Sequence, residues 1–129
     1  MFRSQKPLIL IAIAAFAVVA SAADKVSVAE LAKSTKKYDG KVLTLVGKVD
    51  KFVQRTSKAG NPYFLFKLID KVDKNKVVNV YGQGKLEKEP KKDDLVEVTG
   101  KYFIETKSGD KTYKNELQTK AEQVKPAKK

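Results

Sequence analysis

The stretch KVLTLVGKVDKFV, residues 41–53, has the alternation of a long β-strand. Leu43, Leu45 and Val49 recur with period two, and a second set that includes Thr44 lies between them. Two interleaved sets indicate a strand with two different faces. Gly47 lies in the middle, where a missing side chain allows a strand to bend. A long, bent strand can pair with neighbours along both of its halves, as in a small barrel.

The N-terminal segment, residues 1–22, has the three parts of a secretory signal peptide. Arg3 and Lys6 form its positive start, residues 7–20 are its apolar run of 14 residues, and Ala20-Ser21-Ala22 is an A-x-A cleavage site. An apolar run of this length falls short of the roughly 20 residues that span a bilayer. We therefore expect cleavage rather than anchoring, no membrane span afterwards, and an exported protein, periplasmic or secreted.

The chain is strongly basic, with 27 Lys and Arg against 15 Asp and Glu and a net charge of +12. Two of the basic residues lie in the predicted signal peptide, so the remaining 107 residues carry +10. This charge predicts attraction to polyanions such as nucleic acid, phospholipid headgroups or envelope polymers. Arg55 is the only arginine after residue 22. Because lysines are point charges and arginines make the bidentate contacts to guanine, this composition argues against base-specific reading of duplex DNA.

Three segments follow the predicted signal peptide. Residues 23–40 form an N-terminal helical segment, in which Ser27 and Glu30 have capping-box spacing. Residues 41–124 form the main domain, and residues 125–129 are a basic tail that we expect to be disordered. The apolar residues that would share one face of the helix are Val28, Leu31 and Ala32.

Five strands are predicted within the main domain, separated by turn-rich loops and by a Gly-rich polar connector at residues 82–94. The strands are residues 41–54, 63–70, 77–81, 95–106 and 112–121. Their alternation also predicts which side chains enter the core. These core candidates are Leu43, Leu45, Val49, Phe64, Phe66, Leu68, Val78, Val80, Val96, Val98, Tyr102 and Leu117.

The order and spacing of these strands resemble the OB-fold. The segments that carry the resemblance are VLTLVGKV (42–49), YFLFKLID (63–70), VVNVYG (77–82), LVEVTGKY (95–102) and NELQ (115–118). They are similar to OB domains of anticodon-binding and single-strand-binding proteins. Together with the signal peptide and short helix, they also resemble the exported bacterial OB-fold (BOF) family. The resemblance implies an all-β fold: a five-stranded OB-fold barrel with a short N-terminal helix, preceded by a signal peptide.

No catalytic constellation is visible in the sequence. The chain has no His and no Cys, so the usual general base, thiol nucleophile and soft metal ligands are absent. Thermonucleases share the OB-fold, but such an enzyme needs arginines for phosphoryl charge and grouped carboxylates for a divalent ion. We therefore predict a non-enzymatic protein with no catalytic residue, no cofactor and no metal site.

A binding surface is the better candidate. Alternation places Thr44, Lys48, Tyr63, Lys67, Asn79 and Tyr81 on the outward face of the first three strands, and OB-folds bind oligonucleotides on this face and in the adjoining loops. Tyrosine rings would stack on bases and lysines would neutralise phosphates. The predicted nucleic-acid-binding residues are Lys48, Arg55, Lys58, Tyr63, Lys67, Asn79, Tyr81, Lys107 and Lys111.

Other interpretations of these residues stay open at the level of sequence. The tyrosines can simply cover the surface of the sheet, and the lysines can keep an exported domain soluble. The partner predicted first is single-stranded nucleic acid or another anionic polymer. The alternative is a BOF-like envelope module that binds a protein partner or a small ligand.

Overall fold

The computed structural model describes residues 23–127, and the signal-peptide prediction for residues 1–22 lies outside them. Strands make up 58% of the described residues and helices 12%. The elements in chain order are β1 (Asp24–Ser27), α1 (Val28–Lys33), α2 (Thr35–Tyr38), β2 (Val42–Thr56), β3 (Pro62–Ile69), β4 (Val77–Gln83), β5 (Leu95–Ser108), β6 (Lys111–Lys120), a 3-10 turn (Ala121–Gln123) and β7 (Val124–Pro126).

The seven strands form one sheet in the order β1-β2-β3-β4-β6-β5-β7, and β2 also pairs with β5. Five strands, β2, β3, β4, β6 and β5, therefore form a closed ring. The pairing of β4 with β6 is parallel, and the other four pairings within the ring are antiparallel. The prediction of a mostly β protein with five principal strands is confirmed, and each strand lies within a few residues of its predicted bounds.

β2 is the strand that two halves of the ring share, as its length suggested. Residues 42–48 pair with β5, and residues 48–56 pair with β3. Gly47 lets β2 approach the end of β3 closely, because a Cβ atom at residue 47 would lie 2.5 Å from the backbone oxygen of Ile69. The register break lies further along, between Asp50 and Val53, where Lys51 adopts a φ of 54°. An extra residue of this kind bends a strand and increases its twist.

The core fills the inside of the ring with the side chains that alternation predicted. All twelve core candidates are buried, with exposed fractions of 6% or less. Val28, Leu31, Tyr38 and Leu86 join them from outside the ring strands. Ala32, which was predicted to share the buried face of the helix, is exposed. The reason is the shortness of α1, which docks through Val28 and Leu31 only.

Two short edge strands extend the ring beyond the prediction. β1 pairs in parallel with the first half of β2, and β7 pairs with the first half of β5. β7 thus carries ordered structure into the segment that was assigned to a disordered basic tail. Both strands are three or four residues long and mostly exposed, so they carry no hydrophobic alternation that a sequence pattern could reveal.

One buried carboxylate joins the N-terminal helix to the turn between β3 and β4. Asp70 is 7% exposed and accepts three backbone N–H groups, from Ala29 at 2.9 Å, Val72 at 3.0 Å and Asp73 at 2.9 Å. Burial raises the pKa of a carboxyl group, but here the three N–H donors and nearby Lys71 outweigh it, and the pKa of Asp70 is lowered. The folded protein therefore stabilises the charged form of Asp70.

We expect Asp70→Asn to lower the free energy of unfolding by about 2 kcal/mol at pH 7, because the backbone donors lose a charged acceptor. Since the pKa is lowered on folding, this contribution is complete above the unfolded-state pKa of about 3.9 and is lost as the pH falls through the folded-state pKa. Denaturant unfolding of both proteins at neutral and at acidic pH measures the difference. Glu89→Gln, at an exposed acid in the connector, is the control. A difference that stays constant into strong acid would contradict the assignment.

Candidate ligand-binding face

The outward side chains of β3 and β4 form the surface that the sequence predicted as a binding site. Phe64, Phe66 and Leu68 face the core, so the residues between them face outward. Cross-strand register then places the outward residues of neighbouring strands side by side. We call the tyrosine face the set Arg55, Tyr63, Leu65, Lys67, Asn79 and Tyr81.

An aromatic pair lies at the centre of the tyrosine face. The rings of Tyr63 and Tyr81 are 5.8 Å apart between centroids and inclined by 36°. Both side chains are half-buried, and Leu65 lies directly opposite Tyr81 in the register. The two tyrosine rings are therefore partly exposed to solvent, next to the apolar side chain of Leu65. Such a surface can accept a flat aromatic or sugar-like group by stacking.

A pair of hydrogen bonds fixes Lys67 and Asn79, which lie opposite each other on the face. The Lys67 amine donates to the side-chain oxygen of Asn79 at 3.2 Å, and the Asn79 amide donates to the backbone oxygen of Lys114 at 3.2 Å. Asp50 lies opposite Lys67 in the register, but its carboxylate pairs with Lys92 at 3.7 Å. Asn79 therefore positions the Lys67 ammonium group on the face, where it can meet an anion.

Negative charge borders the face on the β6 side. Glu116 lies opposite Asn79 and is 8% exposed. Its carboxylate accepts from Thr106 at 3.3 Å and from the Gln118 amide at 3.1 Å. An anionic ligand would therefore bind along Tyr63 and Tyr81 and avoid the part of the face where Asn79 adjoins Glu116.

Basic residues flank the tyrosine end of the face. Arg55 lies opposite Tyr63 and is exposed, and Lys58 is exposed in the loop that follows β2. Ser57 shapes this loop: its backbone oxygen accepts from Gly60 at 2.9 Å, and its hydroxyl accepts from Asn61 at 3.1 Å. The structure thus brings together six of the nine predicted residues: Arg55, Lys58, Tyr63, Lys67, Asn79 and Tyr81.

The other three predicted residues lie away from the tyrosine pair. Lys107 and Lys111 are exposed near the tip of the β5–β6 hairpin. Gln118 is the β6 residue opposite Tyr81, and seven residues separate it from Lys111, which is roughly 20 Å along a strand. Lys48 is exposed and lies opposite Ile69, a similar distance from Tyr63 along β3. These lysines lie at the opposite end of the sheet from Arg55 and Lys58.

Thr44 was predicted to lie on the outward ligand face, and this prediction is wrong. It is 8% exposed, and its hydroxyl shares a hydrogen bond of 2.9 Å with the hydroxyl of Thr99. β1 pairs with β2 on one side of Thr44 and β5 on the other. The position is therefore enclosed by neighbouring strands. The sequence could not show this, because β1 has no recognisable strand pattern.

A groove beside Tyr81 was missed by the sequence analysis. It has a volume of about 400 Å³ and arises where β6 packs between β4 and β5. Gly100 contributes no side chain to it, and a Cβ atom there would overlap the backbone oxygen of Gln118. The parallel pairing of β4 with β6 joins residues far apart in the chain, so no local pattern signals the groove. Its lining residues are Val42, Tyr81, Gln83, Thr99, Gly100, Lys101, Gln118, Thr119, Lys120 and Gln123.

Residues 23–127 contain neither an acidic metal site nor a membrane-spanning helix. No three acidic side chains in this range lie together as a group that could hold a metal ion. No helix in the same range is long and apolar enough to cross a membrane.

Comparisons with known proteins give the chain no family. No protein-family model matches it, and no curated protein matches it either. We therefore infer the function from the residues and geometry of the tyrosine face itself.

We expect the tyrosine face to contribute little to stability. Tyr63→Ala should lower the free energy of unfolding by no more than about 1.5 kcal/mol, because its ring is half-exposed and its partner is another surface ring. Phe64→Ala, at the adjacent residue on the inward face, should cost about 3–5 kcal/mol. Urea unfolding of the two variants measures the contrast. Equal losses would mean that Tyr63 is a structural residue.

Proposed function

We propose that this protein is an exported, non-enzymatic binding module that binds single-stranded nucleic acid, or a similar anionic polymer, through the tyrosine face. The observation that carries the proposal is the pair of outward tyrosine rings, 5.8 Å apart, with Arg55 opposite one of them. Stacking surfaces beside cations are what a flexible chain of bases and phosphates requires. Duplex DNA buries its base faces, so the proposal is for single strands.

We further propose that the ring of strands is an OB-type barrel. The support is its strand order: β5, β2, β3 and β4 lie side by side, and a long connection returns the chain to place β5 next to β2. This is a Greek-key arrangement, which a fifth strand, β6, closes. OB-folds are five-stranded Greek-key barrels that bind oligonucleotides on the face of the second and third strands. Apart from Arg55 on β2, the tyrosine face lies on β3 and β4, which are the second and third strands of the ring.

The binding mechanism would be generic rather than sequence-specific. Each tyrosine can stack on one base, a contact worth about 1–3 kcal/mol and possible with any base. Arg55, Lys58 and Lys67 would neutralise phosphates along the same path. If three phosphates are neutralised, the logarithm of the affinity should fall with the logarithm of salt with a slope of about −2 for a single strand.

Export is part of the proposal and is supported by the signal-peptide pattern of residues 1–22. The polyanion would then be met in the periplasm or outside the cell. Both nucleic acid and anionic envelope polymers fit the +10 charge of the remaining residues, and the proposed contacts are stacking and phosphate neutralisation rather than readout of base edges.

A second candidate function is the binding of a small ligand in the groove beside Tyr81, as an envelope module. The observation that favours it is the volume of about 400 Å³, which is in the range of small-molecule sites. The side-chain amides of Gln83, Gln118 and Gln123 line the groove and can donate and accept hydrogen bonds. A ligand there would contact Tyr81 but not Arg55.

Titration of a labelled oligo-dT tests the first candidate. We expect binding at low salt that weakens steeply as salt rises, and an affinity loss of at least tenfold in the variant Tyr63→Ala/Tyr81→Ala. Tyr113→Ala is the matched control, because it removes an exposed tyrosine from the far hairpin. The absence of any binding at low salt would refute the proposal. Unchanged binding by the double variant would reduce it to charge attraction without a defined face.

A further inference from the structure

Among the described residues, two large hydrophobic side chains are exposed: one lies in a β-hairpin turn and the other on a strand close to a hairpin tip. Val72 is 91% exposed in the turn between β3 and β4. Tyr113 is 42% exposed on β6, close to the tip of the β5–β6 hairpin. A valine this exposed gains nothing from the fold. Single exposed apolar side chains are ordinary on a protein surface, and what distinguishes these two is that both lie at one end of the molecule among lysines.

The two side chains lie at the same end of the molecule. β4 and β6 are parallel neighbours, so both strands begin at the same end of the sheet. The turn that precedes β4 and the hairpin tip that precedes β6 therefore extend from that end. Asn115 joins the three strands next to this end: its amide donates to the backbone oxygen of Val77 on β4 at 2.8 Å, and its side-chain oxygen accepts from the hydroxyl of Tyr102 on β5 at 2.7 Å. We call residues 71–76 and 107–114 the hairpin end.

The hairpin end is strongly basic. It carries six lysines against the two acids Asp73 and Asp110, a local charge of +4 in fourteen residues. Neither ion pair found among the described residues includes one of these lysines. The Asp73 carboxylate accepts from the backbone of Asn75 at 3.0 Å and so has a local partner. The lysines are Lys71, Lys74, Lys76, Lys107, Lys111 and Lys114.

The exposure of Val72 is built into the turn. Asp70 is buried and accepts the backbone N–H groups of both Val72 and Asp73, so the carboxylate fixes the path of the chain at this point. The same carboxylate holds Ala29 of α1. Val72 is therefore presented to solvent on a backbone that is pinned to the core. It does not lie in a stretch of chain without contacts.

We propose that the hairpin end docks on an anionic lipid bilayer, with Val72 and Tyr113 entering the interfacial layer and the surrounding lysines meeting lipid phosphates. An aliphatic tip inside a group of cations matches a surface that is apolar beneath an anionic layer. Tyrosine favours the headgroup level, where its ring is buried and its hydroxyl stays wet. A branched aliphatic side chain such as Val72 has no ring to stack on a nucleobase, which favours the bilayer over nucleic acid.

Charge and insertion would act together in this docking. One valine and one tyrosine bury too little area to hold a protein on a membrane without help. Each lysine close to an anionic surface adds about a fivefold increase in partitioning. Docking should therefore be reversible, dependent on anionic lipid and weakened by salt. It would leave the tyrosine pair open, because Tyr81 lies roughly 20 Å away along the sheet. The other end of the tyrosine face adjoins the hairpin end, since Asn79 donates to the backbone oxygen of Lys114.

Vesicle sedimentation tests the docking. The protein is expressed from the full sequence, purified as the host processes it, and mixed with vesicles of phosphatidylcholine alone or with added phosphatidylglycerol. We expect at least tenfold stronger binding to the anionic vesicles, and at least a tenfold loss in the variant Val72→Ser/Tyr113→Ser with an unchanged melting temperature. Failure to bind anionic vesicles at low salt overturns the proposal. Equal binding to neutral vesicles does so too.

A charge control separates the hairpin end from the net charge of the protein. Lys71→Gln/Lys74→Gln/Lys111→Gln should reduce binding to anionic vesicles far more than Lys33→Gln/Lys36→Gln/Lys88→Gln. All six of these lysines are exposed, so both triple variants should fold. Equal losses would show attraction without a defined surface and would overturn the proposal.

Fluorescence separates this proposal from the binding of nucleic acid. The chain has no tryptophan, so one introduced tryptophan is the only indole reporter. Val72→Trp should shift to the blue with anionic vesicles and stay unchanged with oligo-dT, while Tyr63→Trp should respond to oligo-dT alone. No shift at position 72 with vesicles overturns the docking. A response of position 72 to oligo-dT would assign the hairpin end to nucleic acid instead.

Discussion

The pairing of β2 along both of its halves is the constraint on which the rest of the structure depends. Residues 42–48 pair with β5 and residues 48–56 pair with β3, so one strand turns a flat sheet into a ring. Pairing of β4 with β6 then closes it. Once the ring is closed, every inward position faces the same small core, and none of the five strands keeps a free edge along its whole length.

Closure of the ring also separates the surface into regions with different chemistry. The outward residues of β3 and β4 carry the tyrosine pair, with Arg55 and Lys58 at one end. The turns that precede β4 and β6 lie at the other end and carry Val72 and Tyr113 among lysines. Basic residues therefore lie in two regions of the surface. One region is beside the Tyr63–Tyr81 pair, and the other surrounds Val72 and Tyr113. Under the two proposals, a single domain would hold an anionic polymer on one surface and a membrane on the other.

Much of the fold could be predicted because burial in a closed ring follows a simple alternation. The pairs Phe64 and Tyr63 on β3, and Val80 and Tyr81 on β4, lie on opposite faces as their spacing requires. Period two decides which of two neighbouring side chains is inward once one face is apolar. Alternation also assigns Thr44 to the outward face of β2, but it is buried because β1 pairs alongside it. Short exposed edge strands carry no pattern, so their effect could not be predicted.

The sequence by itself determined the five strands of the ring, their inward faces, the basic character of the chain and the outward tyrosines, because each depends on local alternation or on composition. Only the tertiary structure decided which outward residues are neighbours. The parallel pairing of β4 with β6 places Gln118 beside Tyr81 and forms the groove. The same pairing separates Lys107 and Lys111 from the tyrosines and places them at the same end of the sheet as Val72. The reason is that pairing of distant strands depends on closing the whole ring, and no local stretch of sequence contains that information.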